Sequence, residues 1–152
     1  MKRFVFCVGS VALLFVVGCT DSHPESLKPN RAEALAAIKK LGGKVTEEGT
    51  PPRMSISFFG TQVTDAGLEH LKGLTDLESL DLRLTKVTDA GLEHLKGLTS
   101  LTSLNLDLVT QITDAGLEHL KGLTNLTSLN LGRTKVTDAG LEHLKGLKNF
   151  PH

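Results

Sequence analysis

The sequence predicts an α/β solenoid made of four stacked copies of one unit. Three observations carry this expectation. First, the string Thr-Asp-Ala-Gly-Leu-Glu-His-Leu-Lys-Gly-Leu begins at Thr64, Thr88, Thr113 and Thr137, so it returns at intervals of 24, 25 and 24 residues. Self-similarity at a period of about 20 to 50 residues marks a stacked-repeat architecture. Second, Leu77-x-x-Leu80-x-Leu82 returns as Leu101-x-x-Leu104-x-Leu106 and as Leu126-x-x-Leu129-x-Leu131. The last two leucines of each alternate with polar residues, as a half-buried strand requires. Third, Leu92, Leu95 and Leu98, with their counterparts, fall three residues apart on one face of a short helix.

Each unit therefore reads strand, turn, short helix, return loop. Thr88 suits an N-cap, and Asp89 places a negative charge in the first turn. Lys96 falls in the last turn, and Gly97 is expected to take a left-handed exit. A helix of about eight residues is unstable alone, so neighbouring units must stack to bury its leucines. The first copy is degenerate: Ile56-x-Phe58-x-x-Thr61-x-Val63, with Arg53 where a leucine is expected. The hydroxyls of Thr61, Thr85, Thr110 and Thr134 are expected to bond backbone groups of the next turn and so form a ladder. The third copy has one extra residue within Asp107-Leu108-Val109, expected to bulge the chain just after the strand.

This pattern, over about Met54 to Leu147, resembles bacterial leucine-rich repeat proteins of the subtype whose helical half reads Thr-Asp-x-Gly-Leu. The resemblance implies a short right-handed horseshoe, with parallel strands on the concave side and short helices on the convex side. It also implies a non-catalytic module that binds proteins or other ligands.

Residues 30–52 read as an N-terminal cap, which a solenoid needs to cover its first core face. Asn30-Arg31-Ala32-Glu33 resembles a capping box. Leu35, Ile38 and Leu41 form an apolar stripe, Lys39 and Lys40 lie in the last turn, and Gly42-Gly43 end the helix. Lys44 to Thr46 suits a short strand with a turn near Glu47-Glu48-Gly49, and Pro51-Pro52 starts the first repeat strand. Residues 53–152 hold the repeats. Phe150 aligns with Leu126, and no recognisable C-terminal cap follows it. The last repeat face is therefore expected to be open and to support weak self-association.

Residues 1–18 read as a signal peptide. Lys2 and Arg3 precede an apolar run from Phe4 to Val17, too short for the roughly 20 residues of a spanning helix. Val16-Val17-Gly18-Cys19 resembles the bacterial lipobox. That resemblance implies lipid attachment at Cys19, membrane anchoring in the cell envelope, and a tether over residues 19–29. Cleavage would also remove Cys7, so no disulfide would remain.

Composition excludes several functions. The 152 residues are 39% apolar and 22% charged, with 17 basic against 17 acidic side chains. No net field draws nucleic acid, and six Phe without Trp or Tyr make a poor base-stacking platform. His70, His94, His119 and His143 recur beside Glu69, Glu93, Glu118 and Glu142. Each lies on a different repeat, with helices about 10 Å apart, whereas zinc needs three or four ligands within about 2 Å. The sequence therefore predicts no metal, no cofactor and no enzyme. The candidate partner-binding face is the outward side of the strands: Ser57, Phe59, Ser79, Asp81, Arg83, Ser103, Asn105, Asp107, Ser128 and Asn130. These stack in columns with Ser55 and Gly132, and Arg83 and Phe59 are of the types that dominate interface energies. The expected partner is a protein of unknown identity. The alternative is a structural subunit that assembles through the last repeat.

Overall fold

A computed structural model describes residues 31–147. The expected signal peptide, Cys19, the expected tether, Asn30 and Phe150 lie outside the described residues. The described chain forms a five-stranded sheet in sequence order, with short helices on its other side. Helix α1 (Arg31–Lys40) leads into β1 (Lys44–Glu48), which pairs antiparallel with β2 (Arg53–Ser57). From there β3 (Leu77–Asp81), β4 (Ser103–Asn105) and β5 (Ser128–Asn130) add in parallel. Between strands run α2 (Asp65–Leu68), α3 (Asp89–Leu92) and α4 (Asp114–Leu117), and α5 (Asp138–Leu141) follows β5.

The cap follows the sequence signals with two corrections. Gly42, at φ 87°, ends α1, and Gly43 N–H donates to Ile38 O at 2.8 Å. That six-to-one bond is the Schellman closure. The buried pair of α1 is Ala34 and Ile38, one turn apart, while Leu35 is half-buried and Leu41 is 39% exposed. Strand β1 also runs to Glu48, beyond the expected Thr46, because Glu47 and Glu48 pair with Met54 and Arg53. Arg31 binds Glu47 at 2.7 Å and also Asp76, tying helix, hairpin and first repeat together.

The first repeat is less degenerate than its sequence. Met54 pairs with Leu77, but Ser55 pairs with Ser79, so the register shifts between them. Met54, 1% exposed, therefore fills the first apolar position, and Arg53 is released to lie 3.7 Å from Glu78. The helical halves are also shorter than expected. Each is one α-helical turn followed by a 3-10 turn, as in Asp89–Leu92 and Glu93–Leu95. Leucines spaced three apart match the 3.0-residue period of the 3-10 helix. The left-handed residues are not Gly97 and its counterparts. They are Gly60 (φ 73°), Leu84 (57°), Leu108 (66°) and Arg133 (57°), all at one repeat position just after the strand. The extra residue of the third copy is absorbed in that turn. Val109 is fully buried, and Ser103, Leu104 and Asn105 stay in register with Ser128, Leu129 and Asn130.

The expected threonine ladder is not where the sequence placed it. Thr85 Oγ1 donates to Leu82 O at 2.6 Å and Thr134 Oγ1 to Leu131 O at 2.7 Å, each within its own turn. The turn curls back on itself, so the carbonyl three residues earlier is the acceptor within reach. The ladder between repeats is built from the helical motif instead. Asp65 accepts from Thr88 N at 2.7 Å and Oγ1 at 2.8 Å. Asp89 repeats this with Thr113 at 2.8 and 2.6 Å, and Asp114 with Thr137 at 2.7 and 2.8 Å. Each of these threonines in turn accepts from the alanine N–H two residues on. Thr64 has no such side-chain cap bond. So an aspartate fixes the hydroxyl that caps the next repeat's helix. The glycine of the motif makes room for it: a Cβ on Gly91, Gly116 or Gly140 would fall inside 3.0 Å of that aspartate's Oδ1.

Beneath this ladder runs one continuous apolar core, from Ala34 and Ile38 through the strand and helix leucines to Leu147. Burial thins in the last repeat. Leu129, Leu131 and Val136 are half-buried, and Leu141 is 42% exposed where Leu68, Leu92 and Leu117 are buried.

Candidate functional site

The sheet's outward face is set by strand alternation and by backbone register. One row runs Lys44, Ser57, Asp81, Asn105, Asn130, each residue paired with the next. A parallel row runs Thr46, Ser55, Ser79, Ser103, Ser128. Neighbouring strands lie about 4.8 Å apart, so each row is a ruler of evenly spaced polar groups.

The first row is largely committed to shaping the turns. Ser57 Oγ accepts from Phe59 N–H at 3.3 Å, and Asp81 Oδ1 from Arg83 N–H at 3.1 Å. Asn105 Oδ1 accepts from Asp107 N–H at 3.1 Å, and Asn130 Oδ1 from Gly132 N–H at 3.0 Å. These are Asx-type turns, in which the side chain serves the backbone two residues on. The candidate residues Ser57, Asp81, Asn105 and Asn130 thus have a structural duty that the sequence did not reveal. No such bond engages Ser55, Ser79, Ser103 or Ser128, whose hydroxyls face outward among the described residues.

Asp81 is also gripped by Arg83, at 3.0 Å from Nε and 2.7 Å from Nη2. Burial pushes the Asp81 carboxyl up, but the Arg83 bonds outweigh it and hold the group below the usual carboxylate range. The same pairing raises Arg83. The Arg83 guanidinium lies 4.8 Å from the centre of the Phe59 ring, a cation–π stack at the rim. Phe59 is 53% exposed and Leu84 46%. Across the sheet Asp107 binds Arg133 at 2.9 and 3.2 Å. Gly132 is needed there, because a Cβ would fall inside 3.0 Å of Asp107 Oδ1.

Sequence reasoning missed Lys44, Thr46 and Arg133 on this face. Lys44 and Thr46 sit at i and i+2, the strand signal, but the antiparallel partner that places them beside Ser57 and Ser55 was not foreseen. On the opposite side, His70, His94 and His119 are half-buried rather than fully solvated, and His143 is exposed. His94 Nδ1 is buried with no hydrogen-bond partner among the described residues. Glu93 lies low chiefly through its bond to Lys96, with smaller pulls from His119 and His94. Among the described residues no group of three His, Cys, Asp or Glu could hold a metal ion, and no helix is long and apolar enough to cross a membrane.

The leucine-rich repeat family profile matches residues 73–96 and 122–145. The fold is a leucine-rich repeat α/β solenoid. A solved internalin from Listeria monocytogenes is similar at 25% identity, over 59% of this chain and 31% of that one, with a TM-score of 0.42. The chain thus spans less than a third of that internalin's length. No curated protein matches. Leucine-rich repeat domains are in general protein-binding modules, so the sheet face takes priority as the candidate site.

Proposed function

We propose that this chain is a lipid-anchored, non-catalytic binding module of the bacterial cell envelope that holds a protein partner on its sheet face. The observation that carries the binding half is the pair of in-register polar rows, the serine hydroxyls of the second row without a partner among the described residues, and an Arg83–Phe59 stack at the rim. The anchoring half rests on Val16-Val17-Gly18-Cys19 behind a basic and then apolar leader. A lipid anchor contributes about 0.8 kcal/mol per buried methylene, so several acyl chains hold a small domain at a membrane durably.

A second reading, assembly of copies through the last repeat, draws on the exposure of Leu141 and the partial burial of Leu129 and Leu131. One experiment addresses both halves. The chain and its Cys19→Ala variant are expressed with a labelled fatty acid, and the envelope is crosslinked and read by mass spectrometry. Labelling that Cys19→Ala abolishes, with crosslinks from the sheet face to a different protein, is the expected result. Label retained by the variant overturns the anchor. Crosslinks only between copies, through residues around Leu129 to Leu141, replace the binding reading with the assembly one.

A further inference from the structure

The N-terminal end of the sheet face holds a cavity of about 350 Å³, lined by Lys44, Thr46, Ser55, Ser57, Ser79 and Asp81. That volume is at the small end of ligand sites. It forms because β1 closes the sheet edge in antiparallel fashion and carries Lys44 and Thr46 round to the same face as the serines of β2 and β3.

The charges there can be accounted for group by group. Asp81 is neutralised by the two bonds from Arg83 and also accepts from Arg83 N–H and, at 3.5 Å, from Ser57. Arg83 is likewise committed. Lys44 makes no ion pair with any described residue. The cavity therefore carries one uncompensated positive charge. Its hydrogen-bonding groups can serve the same charge. Lys44 can only donate, the Asp81 oxygens are occupied, and the hydroxyls of Thr46, Ser55 and Ser79, which donate or accept, have no partner among the described residues. Further along the rows, Asn105 and Asn130 use their carbonyl oxygens on backbone N–H groups, which leaves their amide hydrogens outward. The Lys44 ammonium and the asparagine amide hydrogens are thus donors with no acceptor among the described residues, and the hydroxyls beside them can turn their hydrogens to an incoming anion.

We infer that this cavity is the anchoring subsite for a carboxylate of a bound polypeptide, with the peptide's carbonyls taking up the donors of the two rows. This rests on the reading of the sheet face as a protein-binding surface and names the chemistry it selects. A single ammonium flanked by hydroxyls matches a monoanion. A phosphate dianion would need a second free cation, and Arg83 is already engaged. The carboxylate can be a chain terminus or an Asp or Glu side chain, since both present the same two oxygens.

The test follows backbone amide signals of Ser55 and Ser79 in the isotope-labelled full chain. The probes are acetyl-tetraalanine with a free carboxyl terminus, the same peptide as its amide, acetyl-Ala-Glu-Ala-amide, inorganic phosphate and an oligogalacturonate. The first and third probes are expected to shift both signals and the neutral amide to leave them unmoved. A free-carboxyl preference assigns a chain terminus, and a glutamyl preference assigns a side chain. Lys44→Met should weaken carboxylate binding about two- to fivefold, the range for one exposed charged contact, and Ser79→Ala by a similar factor. Neither side chain has a partner among the described residues, so the melting of both variants should match the parent and loss of binding will not reflect unfolding. Equal binding of the amide, tighter binding of phosphate or oligogalacturonate, or affinity unchanged in Lys44→Met would each overturn the assignment. If envelope crosslinks place a partner on the sheet face but Lys44→Met binds as well as the parent, the subsite fails while the binding function stands.

Discussion

Replacing Gly116 by alanine opposes two effects of known sign. Gly116 lies inside α4, where alanine is favoured over glycine by about 1 kcal/mol on helix propensity alone. Its φ is not left-handed, so backbone conformation raises no objection. Space does. The new Cβ would fall inside 3.0 Å of Asp89 Oδ1, with Asp89 Cγ at 3.2 Å and Leu92 Cδ1 at 3.1 Å. The leucine methyl can give way. Asp89 cannot without leaving Thr113, whose N–H and hydroxyl it holds at 2.8 and 2.6 Å. Losing a cap costs about 1–2 kcal/mol, and a hydrogen bond to a charged group about 1.5–3 kcal/mol. Set against the propensity gain, Gly116→Ala should destabilise by about 1.5–4 kcal/mol. In an Asp89→Ala background the obstacle is gone, so the same change should be neutral or stabilising by up to about 1 kcal/mol. Urea melts of the two single variants and the double variant close the cycle, with an expected coupling of at least about 1.5 kcal/mol. Gly97→Ala is the control, since nothing lies within 4 Å of its Cβ. If Gly116→Ala costs the same in both backgrounds, the glycine is not there to admit the aspartate and the reasoning fails.

Leu104, 1% exposed in the middle of the sheet, should cost about 2–5 kcal/mol when cut to alanine, whereas the equivalent change at half-buried Leu129 should cost clearly less; equal shifts in denaturant midpoint would contradict the burial gradient. Backbone and hydroxyl bonds from Thr137 hold the Asp114 carboxyl below its ordinary value of 3.8. A depressed folded value contributes stability above the unfolded pKa, and that contribution is lost as pH falls through the folded one. Stability should therefore fall with acid below about pH 4, and less steeply in Asp114→Asn; parallel pH profiles from thermal melts would remove Asp114 from the ladder.

The repeat, its strand and its helix were legible because both periods are local: leucines two apart in the strand and three apart in the helix. The Asx-turn duty of Asp81 and Asn105 was less legible, since an outward polar residue in a strand looks the same whether it serves a ligand or the next turn. The Asp–Thr ladder was hidden for a different reason. Asp89 read as a charge for its own helix, and only the stacking of repeats shows that its oxygens go to Thr113, 24 residues on. Met54 was masked by a register shift, which no single-strand pattern reveals. Leu84 at φ 57° was also unreadable: glycine fills that position only in the first copy, at Gly60. Lys44 escaped because the antiparallel hairpin breaks the rule that governs the rest of the sheet.

The motif Thr-Asp-Ala-Gly-Leu is best understood as a statement about pairs of repeats. Its leucine enters the shared core, its aspartate accepts from the next repeat, its threonine donates to the aspartate of the repeat before, and its glycine yields the space for that aspartate. None of these bonds exists inside a single unit. The polar and apolar terms therefore both act between neighbours, which is the condition for stability to propagate along a solenoid. The same coupling has a consequence on the opposite side of the sheet. Because each repeat is fixed to the next at both the strand and the helix N-terminus, the two outward rows cannot slip in register. Side chains spaced by about 4.8 Å are then held in place before any partner arrives, and ordering them adds little to the cost of binding. The internal bonds also decide the polarity of that surface. Carboxylate and amide oxygens are drawn inward to close turns and hold Arg83 and Arg133, and the Lys44 ammonium, the serine hydroxyls and the asparagine amide hydrogens are what remain to meet a partner.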